Sequence, residues 1–238
     1  MCDFPGGIIH SFWEDTNKRM LITKTNNGYY GYVKNDETGV LCFFDESLKK
    51  IDEVQITMDV VKLIDIQNKL GILVKEKGNF QFYSVDFTEK KVTCLYRDIP
   101  IQYENDFAAY GDLIVYKNLN HAIMLCKNGK EWAFPHSGYN YLSIRDENHV
   151  LVFKSIVNYI RFGEIKEYHL ESGKTTHLRF AICPSTTCCL SPDGRYLLSF
   201  EIINSQSQYN PVLIDLRFPR QYKSHANCLD FDYVEWQQ

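Results

Sequence analysis

The residues of this 238-residue chain best suited to chemistry are seven histidines, eight cysteines and 30 carboxylates. Metal chelation by histidine favours spacings such as H-x-H or H-E-x-x-H. His10, His121, His136, His149, His169, His177 and His225 show none of them. Zinc ribbons and thioredoxin-type redox sites need C-x-x-C, which is also missing; Cys188 and Cys189 are adjacent and point to opposite faces of a strand, a poor chelate. There is no G-x-S-x-G elbow, phosphate loop or G-x-G-x-x-G turn. Gly6-Gly7 precedes an apolar run with neither the lysine nor the helix that phosphate binding requires. Carboxylates remain, because a pair a few ångströms apart can hydrolyse a glycoside. Asp15, Asp146 and Asp193 fall in turns, where local hydrogen bonding accounts for them. Asp59, Glu104 and Asp106 stand just before apolar runs and are the better acid–base candidates.

The composition narrows the classes. With 45% hydrophobic residues and a formal net charge of −4, the chain has the makings of a packed core and not of disorder. No apolar run approaches the roughly 18 residues of a membrane span. Met1–Ser11 lacks the basic and long apolar segments of a signal peptide, so a cytoplasmic location is expected. The acidic balance disfavours direct nucleic-acid binding and permits a basic protein partner. Cysteines inside apolar runs, such as Cys42 and Cys126, read as reduced, buried thiols.

The elements that must position these groups are strands. Short runs rich in Val, Ile, Tyr and Phe recur between Gly, Asn, Asp and Pro turns. The best helical signal is Ser47–Val54, where Leu48, Ile51 and Val54 recur at intervals of three. The starts of successive second strands, marked by Lys18, Lys69, Asp112, His149 and Arg195, are 51, 43, 37 and 46 residues apart. Four strands in about 40 to 50 residues is the period of a propeller blade. The expectation is a single all-β domain over residues 1–238, a β-propeller of five four-stranded blades at about 8–45, 58–97, 104–135, 140–180 and 185–238. Six blades or an irregular β-barrel are the alternatives. The alternating tail Cys228–Trp236 would pair beside the N-terminal segment or complete the last blade.

Residues 188–199, with Ser191-Pro192-Asp193-Gly194 followed by Arg195-Tyr196, resemble the blade signature of TolB-like and WD-repeat propellers. Pro192 presets φ and Gly194 supplies a positive φ in such a turn. The Trp-Asp and Gly-His marks of true WD repeats are missing. By size, acidity and propeller pattern, the chain also resembles bacterial immunity proteins of the contact-dependent growth inhibition type. That resemblance implies a protein that binds and blocks a cognate toxin, often a basic nuclease.

Loops that enter inner strands and loops between second and third strands share one face of a propeller. Glu53, Asp59, Glu104, Asp106, His136, Tyr139 and Tyr209 are expected there, joined by Asp230 and Asp232 if the tail follows the pattern. Such a face would steer a basic partner by charge and anchor it through tyrosine. The expected function is non-catalytic: toxin neutralisation by a cytoplasmic monomer, bound one-to-one and without cofactor or metal. The alternatives are a carbohydrate- or lactone-processing propeller hydrolase and a scaffold subunit.

Overall fold

The structure is a computed structural model that describes residues 20–25, 27–34, 38–67, 69–136, 138–157, 160–182, 189–191, 194–202, 209–217 and 222–224. The described elements are strands and one 3-10 turn, with no α-helix among the described residues. No described helix is long and apolar enough to cross a membrane. The chain divides at Asp112/Leu113 into two compact units.

The first sheet is an antiparallel meander of β1 (Met20–Thr25), β2 (Gly28–Lys34), β3 (Gly39–Phe44) and β4 (Lys50–Ile56). The second repeats it with β5 (Val60–Asp65), β6 (Leu70–Glu76), β7 (Asn79–Asp86) and β8 (Lys91–Ile99). Alternate residues point to one face of a strand. Tyr30, Tyr32, Leu41, Val54 and Ile56 from the first sheet therefore meet Val60, Leu63, Leu70, Ile72, Val74 and Val85 from the second in one core cluster. Burying each large apolar side chain contributes roughly 1.5–3 kcal/mol. Cys42, next to Leu41 on the other face of β3, is buried as well, and burial pushes its thiol up to about 11, as expected of a thiol acting as a small hydrophobe.

The first unit ends with β9 (Phe107–Tyr110), and the second opens with the antiparallel strands β10 (Leu113–Lys117), β11 (Ile123–Lys127) and β12 (Lys130–Ala133). The second unit continues with β13 (Asn140–Asp146), β14 (His149–Val157), β15 (Ile160–His169) and β16 (Lys174–Ile182). It ends with β17 (Cys189–Leu190), β18 (Tyr196–Ile202), β19 (Tyr209–Asp215) and β20 (Tyr222–Ser224). These eight strands form one sheet, in which Ile182 of β16 pairs with Phe200 of β18. Leu151, Phe153, Ile165, Leu178, Leu197, Ile214 and Leu216 form their core cluster.

The second-strand markers Lys69, Asp112, His149 and Arg195 stand at or just before β6, β10, β14 and β18. The helical signal at Ser47–Val54 is overturned. The Asp45 carboxylate accepts bonds from the Ser47 and Lys49 amides, both at 2.9 Å, and closes a turn. β4 then buries Val54 and Ile56 at two-residue spacing and leaves Ile51 exposed. An apolar residue on the outer side of a strand had imitated a helical interval. The Ile8–Glu14 strand and the Cys228–Trp236 tail, on which the expected blade count and closure depend, lie outside the described residues.

Two glycines are required by close approach. Gly194 has φ +67°, and a Cβ there would stand 2.7 Å from the Arg145 carbonyl oxygen. The Arg145 Nε donates to the Gly194 carbonyl at 3.0 Å, so the turn that resembles a blade signature is fastened to the β13–β14 hairpin. Gly39 faces the fully buried Tyr32, and a Cβ there would fall 2.4 Å from the ring. The ring is held in place because the Tyr32 hydroxyl donates to the Met58 carbonyl at 3.2 Å. Gly39→Ala is expected to cost about 2–3 kcal/mol by overpacking, measured as a lower denaturation midpoint with unchanged m-value.

Candidate functional site

In the first unit, the connection from β8 to β9 carries the 3-10 turn Glu104–Asp106. The Asp106 amide donates to the Tyr103 carbonyl at 3.0 Å. The Tyr103 amide in turn donates to an Asp106 carboxylate oxygen at 3.3 Å. Lys62, on β5, reaches the turn from beneath. Its Nζ donates to the Phe107 carbonyl at 2.8 Å and the Glu104 carbonyl at 3.3 Å. Burial lowers the Lys62 pKa, while the Glu104 and Asp106 charges oppose that shift. Tyr103, at the head of the turn, is 56% exposed.

The other predicted acids of this unit are matched by lysines. Asp59 lies in the connection from β4 to β5 and pairs with Lys34 at 2.7 Å. Glu53 lies within β4, not in a loop entering an inner strand as expected, and pairs with Lys50 at 2.7 Å. Its neighbour Asp52 pairs with Lys90. The expected face-wide acidity is therefore largely compensated at these positions. Glu104 and Asp106 share one turn with an exposed tyrosine; Glu53 does not belong to it.

In the second unit, His136 and Tyr139 precede β13. His136 is exposed and sets its ring edge-on to Phe134, with centroids 5.4 Å apart. Tyr139 is only 8% exposed, and so is not the surface anchor expected of it. Its hydroxyl donates to Glu164 Oε1 at 2.7 Å, and Lys166 Nζ lies 2.9 Å from the same oxygen. His177 Nδ1 is 3.5 Å from Glu164 Oε2. Register explains the gathering: Lys154 on β14 lies opposite Glu164 on β15, and Lys166 lies opposite His177 on β16.

Burial raises the Tyr139 pKa, with Glu164 adding to the rise. Lys166 is raised by its bonds to Tyr139 and Glu164. Burial pushes Glu164 up, but the bonds from Tyr139 and Lys166 outweigh it, and the carboxyl is held below its usual range. The result is a protonated phenol, a charged ammonium and a charged carboxylate in contact.

Tyr209 opens β19 opposite Ile202 instead of lying in a polar loop. Asp230 and Asp232 lie outside the described residues. Sequence reasoning passed over Tyr103, Lys62, Lys154, Glu164 and Lys166. The alternation Glu164-Ile165-Lys166 does place the two charges on one strand face, but their partners depend on register.

Two outcomes follow from these contacts. Lys62→Met is expected to speed hydrogen exchange at the Asp106 amide by about tenfold or more, as the turn loses its charge-assisted bonds, while β6 amides keep their protection. The folded Glu164 pKa lies below the ordinary glutamate value of 4.5. Its stabilising share is therefore complete above that value and lost as pH falls through the folded one. The stability difference between wild type and Glu164→Gln should accordingly shrink between about pH 6 and about pH 3 in denaturant titrations.

No protein-family model and no curated protein sequence matches the chain. Solved structures do match. An uncharacterized protein of Listeria monocytogenes EGD-e superposes with TM-score 0.61 at 11% identity, over 85% of this chain and 68% of that one. TolB from Acinetobacter baumannii gives 0.57 at 10% identity, over 85% and 53%. The β-propeller domain of the Trilobed protease from Pyrococcus furiosus gives 0.56 at 8% identity, over 83% and 69%. This chain thus spans about half the length of that TolB chain and about two-thirds of the other two. At such identities the likeness concerns fold alone, and the fold is an all-β propeller.

Proposed function

We propose that this chain is a non-catalytic, protein-binding propeller, and most concretely a cytoplasmic immunity protein that covers the active site of a basic toxin domain. The observation that carries the reading is the Tyr103–Asp106 turn. An exposed tyrosine stands beside two carboxylates on a backbone fixed by Lys62. Tyrosine is enriched among residues that dominate binding energy, and a fixed turn loses little entropy on association. Flanking carboxylates complement a basic surface and speed its approach. The mechanism is steric occlusion by a single bound copy, with Tyr103 as anchor and Glu104 as the charged contact beside it.

The test is affinity capture from the native host with tagged wild type and with the double variant Tyr103→Ala/Glu104→Lys. Wild type should retain a basic protein encoded beside its own gene and toxic when expressed alone. The variant should bind that protein about thirtyfold more weakly or worse, the loss of a binding hot spot, with unchanged thermal unfolding. Equal retention by both forms, or capture of no such toxin, would overturn the proposal.

A further inference from the structure

The face built by β14, β15 and β16 holds more positive charge than its own carboxylate balances. Glu164 answers Lys166 at 2.9 Å. Lys154 has no carboxylate partner among the described residues. Both ammoniums nevertheless stand at one aromatic ring, each 5.4 Å from the Tyr139 centroid. The Lys154 Cε stands 3.8 Å from where a Cβ on Gly138, the residue before Tyr139, would lie. Lys166 is further fixed by the Tyr139 hydroxyl and Glu164, and stays charged. The group is open to solvent: the Lys166 side chain is 24% exposed and that of His177 42%.

We propose that Lys154 and Lys166, oriented by Tyr139, bind the oxyanion of a small ligand, a carboxylate or phosphate group, at this face. Cross-strand diagonal neighbours on one sheet face stand about 7–8 Å apart at Cα, a separation that lets two long side chains converge on one oxyanion. Charge-assisted bonds from two ammoniums are among the stronger polar contacts available to such a group. Their prior orientation removes part of the entropy cost of binding. Glu164 does not cancel the site; it holds Lys166 in place and leaves the charge of Lys154 over. The exposed His136 ring offers a flat surface for the body of the ligand. This site is independent of the Tyr103 turn and stands or falls separately from the protein-binding reading.

The test follows the lysine ε-methylene signals of the full chain by carbon-detected NMR while inorganic phosphate is added, with acetate in a parallel arm and chloride as the ionic-strength control. The Lys154 and Lys166 signals should shift saturably with phosphate, with acetate or with both; response to one alone identifies the oxyanion. Lys154→Met, a change at an exposed position, should weaken binding about tenfold. Tyr139→Phe should weaken it while thermal unfolding reports an intact fold. Shifts that grow without saturation and match chloride would overturn the site. So would an affinity unchanged in Lys154→Met.

Discussion

Tyr32, Leu41, Leu70 and Ile72 are completely buried, yet they come from two different sheets. That shared cluster is the constraint from which the first unit follows. A four-stranded antiparallel sheet has two faces and cannot hide either one alone. Its apolar side is covered only when the next sheet presents a matching side. In the second unit Leu151, Phe153 and Ile165 likewise share one buried cluster with Leu197 and Ile214. The Gly39–Tyr32 approach follows from it as well: a tyrosine packed this tightly leaves no room for a methyl group.

Once the strands are committed to these cores, the polar chemistry falls in connections and on strand faces turned away from the cores, as with Lys62 beside Leu63 and Lys166 beside Ile165. The two polar assemblies differ in how they use charge. At the Tyr103–Asp106 turn, a largely buried lysine donates to backbone carbonyls, the Asp106 carboxylate caps the Tyr103 amide, and both acidic side chains stay partly exposed. Beside Tyr139, carboxylate, phenol and ammonium satisfy one another and one further lysine is left over. Elsewhere carboxylates are paired: Asp59 with Lys34, Glu53 with Lys50, Asp215 with both Arg195 and Arg217. Surface pairs of this kind add little stability, typically 0–1 kcal/mol, but they flatten the local potential. The net charge of −4 is therefore a poor guide to where an acidic face lies.

Much of the strand plan was legible because a half-buried strand writes its exposure pattern at a period of two. Phe80 and Phe82 in β7, buried on either side of the more exposed Gln81, show it directly. The hairpin turns carry Gly, Asn and Asp for known conformational reasons. β4 was misread because exposed Ile51 made an interval of three with Leu48 and Val54. No local rule separates that interval from a helical one without knowing which side is covered.

The sequence by itself determined the all-β class, the approximate strand positions after residue 60 and the reason Gly194 ends its turn, since each is written in neighbouring residues. Only the tertiary structure decided which charges meet. Lys62 and Glu104 are 42 residues apart, and Tyr139 and Glu164 are 25 apart. Such contacts depend on strand register and on which sheet lies behind a connection. A shift of one residue would carry Glu164 and Lys166 to the opposite face. The packing of the apolar cores sets that register, and with it whether a carboxylate is neutralised, holds a lysine in place or stands free at the surface.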